Sequence, residues 1–124
     1  MHLSGKIYLT TLFRLKQSGS RVRSVELARH LGVARSSVSR AVADFKNAGY
    51  LIIEKGGILT FTDKGLKETK SLIKRQDTIA DFLSLTCNTA FEDSLRDAIN
   101  MEDHMSPAVF KGMRSYIKEV KKEH

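Results

Sequence analysis

A chain of 124 residues that is 41% hydrophobic and 28% charged has the composition of a folded globular protein, not of a disordered segment. No apolar run approaches the roughly 20 residues that a membrane-spanning helix needs, and the N-terminal residues lack the cleavage pattern of a secretory signal. The single cysteine cannot form an internal disulfide, so we expect a cytoplasmic protein without membrane contact.

The net charge of +7 comes entirely from the first part of the chain. Residues 1–49 carry nine Lys and Arg against two acidic side chains, whereas residues 50–124 carry twelve of each sign. A local excess of this size is either a solubilising surface or a surface that attracts nucleic-acid phosphates. Charge alone does not separate DNA from RNA or anionic lipid, so the choice between these partners depends on motifs.

Two short helices are predicted at the start of the chain. Apolar side chains at helical spacing place the first over residues 6–17, and the polar residues 17–20 end it with a turn. The second begins near Ser24, a candidate N-cap. It ends at Gly32, because glycine readily adopts the left-handed conformation that closes a helix.

A third helix is predicted over residues 35–48. Apolar side chains recur at i, i+3, i+4 and i+7 and define its buried face: Val38, Ala41, Val42 and Phe45. The remaining positions are small, polar or basic and are expected to face solvent: Arg35, Ser36, Ser39, Arg40, Ala43 and Lys46.

A β-hairpin is predicted directly after this helix. The apolar runs at residues 51–54 and 58–61 flank Lys55, Gly56 and Gly57, which is a strong hairpin signal. Helix, helix, tight turn, helix and hairpin, in this order, form a winged helix-turn-helix. The expected fold class is therefore mainly α with a small β-hairpin wing.

Three further helices are predicted after the hairpin. Two of them begin at capping signals, Thr62 with Asp63 and Ser106 with Pro107. The first extends to about residue 85, and the middle one covers about residues 91–105. We expect two domains, a DNA-binding domain over residues 1–74 and a helical domain over residues 75–124.

In a winged helix-turn-helix the third helix lies in the major groove, with its first turns nearest the base edges. Serine hydroxyls fit a groove and both donate and accept hydrogen bonds, while arginine reaches guanine N7 and O6 or a phosphate. A lysine at the hairpin tip can contact an adjacent phosphate or the minor groove. Each serine taken singly could be an ordinary solvated residue at a helix start, but three serines with two arginines favour DNA. The candidate DNA-binding residues are Arg35, Ser36, Ser37, Ser39, Arg40, Lys46 and Lys55.

Residues 22–40 resemble the diphtheria-toxin-repressor and manganese-transport-regulator family of transcriptional regulators. The resemblance continues through residues 49–52 and 59–65, and through Asp97-Ala98, Glu102 and Met105-Ser106. The helix-turn-helix is common to many regulators, and this C-terminal pattern is what points to the family's short, two-domain branch. The resemblance implies a homodimeric repressor that binds double-stranded DNA. Its dimer interface would be formed by the helices from about residue 78 onward. A two-fold dimer presents two recognition helices, so its operator is expected to be a pseudo-palindrome.

The resemblance also implies activation by a divalent metal, manganese or iron, at a site that this sequence alters. The positions of the family's acids in the first helix hold Ile7 and Thr10, and Gln76 replaces a histidine of the long helix. In the C-terminal segment the first ligand position holds Ile99. The remaining candidate ligands are Gln76, Glu102 and Asp103. This degenerate set is smaller than the roughly four donors that manganese and iron sites use.

Two other readings stay open. One is a winged-helix repressor of the multidrug-resistance-regulator kind, which senses a small ligand at its dimer interface. The other is a protein-interaction module that does not read DNA, although the outward Arg35, Arg40 and Lys55 argue against it. An enzyme is not expected, because no nucleophile–base pattern or Gly-rich phosphate loop is present. We expect His104 to be an ordinary surface or interface histidine and Cys87 a small buried side chain.

Overall fold

The order of helices and strands is the predicted one, a three-helix segment, a hairpin and three further helices. The computed structural model describes residues 2–123. The elements within these residues are α1 (Leu3–Gln17), α2 (Ser24–Leu31), α3 (Arg35–Asn47), β1 (Leu51–Glu54), β2 (Ile58–Phe61), α4 (Asp63–Cys87), α5 (Phe91–His104) and α6 (Pro107–Lys122). The predicted fold class is confirmed. The chain divides into two compact units between Ser71 and Leu72, inside α4.

The first unit is organised around apolar side chains from its helices and its hairpin. Val38, Val42 and Phe45 of α3 are buried as predicted, together with Leu9 and Leu12 of α1 and Leu27 of α2, and Ala41 is half-buried against them. Complete burial of such a side chain contributes about 1.5–3 kcal/mol relative to leaving it in water. The buried stripe therefore determines which face of α3 turns away from the core.

The hairpin is attached to the rest of the first unit through β2. Its antiparallel register pairs Leu51 with Phe61 and Glu54 with Ile58. The Leu59 carbonyl accepts a hydrogen bond from Lys16 Nζ at 2.6 Å, and the Leu59 amide donates to the Val22 carbonyl at 2.8 Å. These two bonds tie the wing to α1 and to the segment that precedes α2.

The junction between the hairpin and α4 has little free space. Thr62 accepts a hydrogen bond from the Gly65 amide at 3.0 Å, so the predicted helix cap is confirmed. The Thr62 amide donates to the Tyr50 carbonyl at 3.0 Å. A Cβ at position 65 would overlap the same carbonyl oxygen, so the chain requires glycine there.

The second unit contains the greater part of α4 together with α5 and α6. Its core consists of Ile79, Ala80, Ala98 and Met113, surrounded by half-buried apolar side chains. The Ser106 hydroxyl accepts from the Val109 amide at 3.3 Å, which confirms the predicted cap before Pro107. No helix in the described part of the chain is long and apolar enough to cross a membrane.

Three local predictions differ from the structure. Helix α1 begins at Leu3, earlier than residue 6. Ser24 is the first helical residue of α2, and Arg23, whose backbone is extended with φ of −108° and ψ of 171°, is the N-cap without a side-chain capping bond. Cys87 is exposed, not buried, and it is the last residue of α4, which extends past residue 85.

Candidate nucleic-acid interface

Helix α3 has one buried face and one exposed face. Val38, Val42 and Phe45 are 0%, 4% and 7% exposed, as their spacing predicts. Six exposed residues of α3 form what we call the α3 ridge: Arg35, Ser36, Ser39, Arg40, Ala43 and Lys46. Asp44 and Asn47 are exposed as well and lie towards the end of the helix. Ser37 is half-buried at the edge of this ridge. The first unit therefore presents a helix surface of small hydroxyl and long cationic side chains.

The N-terminus of α3 also favours an anionic partner. Its N-cap is Ala34, whose side chain makes no capping bond, and the first turn holds no acidic residue. The partial positive charge of the helix N-terminus is therefore not neutralised by a carboxylate of this turn. Exposed Arg35 and Ser36 lie at the same end, so the start of the α3 ridge combines dipole, hydroxyl and guanidinium.

The hairpin presents Lys55 at its tip. The turn is closed by the Gly57 amide, which donates to the Glu54 carbonyl at 2.9 Å. Gly56 and Gly57 have φ of 83° and 81°, a conformation that glycine adopts without steric strain. Lys55 is exposed on this short turn, and the attachment of β2 limits where its ammonium group can reach.

A second basic area surrounds α2, and none of its residues was among the sequence-predicted DNA contacts. Arg21, Arg29 and His30 are exposed and line one shallow cleft together with Glu26. The hydrogen bond from the Arg23 guanidinium lowers the pKa of the Glu26 carboxyl below its ordinary value. The arginines were part of the basic count of the first 49 residues, but no spacing rule assigned them to one surface.

The three candidate metal ligands lie in the second unit. Gln76 is 1% exposed, and its amide nitrogen Nε2 is buried without a hydrogen-bond partner. Glu102 Oε2 lies 3.2 Å from Arg75 Nε, and Asp103 Oδ2 lies 3.7 Å from the ring of exposed His104. Within residues 2–123, no three or more His, Cys, Asp or Glu side chains form a group that could hold a metal ion.

At one position of α1 where the family resemblance implies an acidic metal ligand, this chain has a threonine. The Thr10 side chain is buried, and its hydroxyl donates to the Ile7 carbonyl at 3.2 Å. Thr10 therefore uses its hydroxyl within its own helix and presents no carboxylate.

Known proteins with similar sequences include a family of DNA-binding domains and two transcriptional regulators. Residues 4–58 match the family described as iron dependent repressor, N-terminal DNA binding domain. The transcriptional regulator MntR of Lysinibacillus sphaericus is 30% identical over 99 residues, which cover 80% of this chain and 70% of MntR. An uncharacterized HTH-type transcriptional regulator of Methanocaldococcus jannaschii is 25% identical over 111 residues, 86% of each chain.

A solved structure has the same fold. The crystal structure of T. acidophilum IdeR superimposes with a TM-score of 0.81 at 18% identity. The match covers 91% of this chain and 53% of IdeR, so the chain spans about half the length of that protein.

Proposed function

Because the chain belongs to the diphtheria-toxin-repressor and manganese-transport-regulator family of DNA-binding transcriptional regulators, we propose that it is a cytoplasmic repressor that binds a pseudo-palindromic operator as a homodimer. The family consists of regulators, which separates the chain from enzymes and from the multidrug-resistance regulators considered above. The α3 ridge is the observation that supports the proposal most directly. It is exposed and cationic, and the one acidic residue of α3, Asp44, lies in the second half of the helix.

We assign the reading of bases to the first turns of the ridge. The hydroxyls of Ser36 and Ser39 are small enough for close approach to base edges, and Arg40 can donate two hydrogen bonds to guanine. Half-buried Ser37 is restricted to contacts at the edge of the ridge. Arg35, at the start of the helix, and Lys46, in its last turn, are assigned mainly to phosphates.

Contacts that do not depend on base sequence come from two other places. Lys55 at the wing tip is placed for a phosphate or the minor groove. Exposed Arg21 and Arg29 beside α2 extend the cationic surface and are assigned to phosphates. These residues add affinity for any duplex and make it depend on salt.

The proposed homodimer is supported by family membership and by the surface of the second unit. Four large apolar side chains of this unit are exposed: Leu85, Phe91, Val109 and Tyr116. A partner subunit that covers these side chains would remove them from water. A two-fold dimer would place two copies of the α3 ridge on half-sites separated by about one helical turn of DNA, or a multiple of it.

The manganese or iron implied by the family resemblance does not fit the residues present. Of the candidate ligands, Glu102 is paired with a guanidinium, and Gln76 is a neutral amide that can offer one oxygen. Glu102 and Asp103 are consecutive residues of α5 and point about 100° apart around the helix axis, so the three side chains do not supply the roughly four well-placed donors that these metals require. We therefore assign no step of DNA binding to a metal at Gln76, Glu102 and Asp103.

The function is tested by selecting duplexes from a random library with the purified chain and measuring their affinity by fluorescence anisotropy. We expect enrichment of a two-fold-symmetric sequence and a linear fall of log affinity with log salt concentration. Light scattering should give twice the mass of the 13.9 kDa chain. A monomer that enriches no sequence, and whose duplex binding is insensitive to salt, would contradict the proposal.

A further inference from the structure

Arg75 and Glu102 form an ion pair at the position where the family resemblance implies a divalent cation. Arg75 belongs to α4 and Glu102 to α5, and both lie in the second unit. The Arg75 Nε atom is 3.2 Å from Glu102 Oε2. The Glu102 side chain is 9% exposed, whereas that of Arg75 is 38% exposed. A carboxylate removed from water to this degree requires a positive partner, and here the partner is covalently part of the chain.

Among the described residues that line the cleft beside the pair, Glu102 is the only carboxylate, and Ser106 adds only a hydroxyl. The two side chains border a cleft of about 210 Å³ whose other walls include Ile79, Met105 and Phe110. These walls are apolar and strengthen the attraction between the charges, because they keep the local dielectric constant low. A divalent cation at Glu102 would be repelled by the positive charge of Arg75. It would also gain no additional imidazole or thiolate ligand from these walls.

We propose that the Arg75 guanidinium takes the place of the divalent cation at Glu102, so that α4 and α5 are held in their regulatory arrangement without metal. This inference rests on the proposed function, since it concerns how the dimeric regulator is kept competent for DNA. Arginine stays protonated throughout the physiological pH range, and its charge cannot dissociate from the chain as a metal ion can. The regulator is therefore independent of metal supply, in contrast to relatives whose names state manganese regulation.

The first test uses wild-type protein without DNA, so its outcome is independent of whether the chain reads an operator. Thermal unfolding is measured in excess EDTA and in 1 mM MnCl2, and Mn²⁺ binding is measured by equilibrium dialysis; both are repeated with anaerobic Fe²⁺. We expect the Tm to differ by less than about 1 °C between the two conditions and dialysis to give no site tighter than millimolar. A Tm rise of 5 °C or more, or a micromolar Mn²⁺ or Fe²⁺ site, would overturn the proposal.

The second test compares three variants with wild type. They are Arg75→Met, the double variant that combines Arg75→Met with Glu102→Gln, and the control Arg96→Met. Arg96 is an exposed arginine of α5, so its loss should leave the Tm within about 1 °C of wild type. Arg75→Met should lower the Tm by several degrees, and adding Glu102→Gln should recover most of that loss, because it removes the stranded carboxylate. If Arg75→Met behaves like Arg96→Met, or if the double variant recovers nothing, Arg75 acts through packing alone and the inference fails.

Discussion

The Arg40→Ala substitution tests the assignment of base reading to the α3 ridge. Arg40 is exposed, and the core contacts of α3 come from Val38, Val42 and Phe45 on the opposite face. Truncation should therefore leave folding almost unchanged, since substitutions at exposed sites usually alter stability by less than about 0.5 kcal/mol. Any large change in duplex binding can then be attributed to the lost contact.

The expected magnitude follows from the geometry of a guanidinium on guanine. A bidentate arginine–guanine contact discriminates by about 1–3 kcal/mol, which corresponds to a loss of roughly 5- to 150-fold in affinity for the selected duplex. On a random duplex the same variant loses one electrostatic contact at most, so the loss should be only a few-fold. The ratio of specific to random affinity should therefore fall by about one order of magnitude.

The assay is fluorescence anisotropy on the selected and a random duplex at several salt concentrations. Lys55→Ala is the matched control, because it also removes one exposed cation from the first unit but lies on the hairpin tip. It should weaken binding to both duplexes equally and reduce the salt slope by about one unit. Equal losses on both duplexes for Arg40→Ala would refute its role in base reading.

Three further predictions concern stability and are measured by thermal unfolding. Gly65→Ala should destabilise the protein by about 1–3 kcal/mol, because the added Cβ overlaps the Tyr50 carbonyl oxygen, and an unchanged Tm would contradict that close approach. Ser106→Ala should cost about 1 kcal/mol through loss of the α6 cap, whereas Ser106→Asp should retain most of the stability. Glu26→Gln should lower the Tm at pH 7 and lose this effect towards pH 3, because the Arg23 hydrogen bond depresses the pKa of Glu26 in the folded state. The stabilisation by Glu26 is thus present above its pKa in the unfolded state and disappears as the pH falls through its pKa in the folded state. A Tm difference between Glu26→Gln and wild type that does not change with pH would contradict this prediction.

Local patterns in the sequence determined most of the fold and the main surface. The apolar spacing in α3 identified Val38, Val42 and Phe45 as buried, because a helix repeats every 3.6 residues and one face must leave water. Thr62 and Ser106 were identified as caps because each bond reaches an amide only three residues away. The partition of charge was likewise a property of composition, and it required no packing to be seen.

Tertiary structure alone decided the contacts between residues far apart in the chain. Arg75 meets Glu102 across 27 positions, and Gly65 meets the carbonyl of Tyr50 because the hairpin folds back against α4. Periodicity states which face of a helix is apolar, but it does not state which polar side chains at the boundary of two packed helices will lie together. That choice depends on the distance and rotation of the helices, which the packing of the whole unit sets. The sequence therefore predicted an altered metal site, and only the packed helices showed that the Arg75 guanidinium pairs with Glu102.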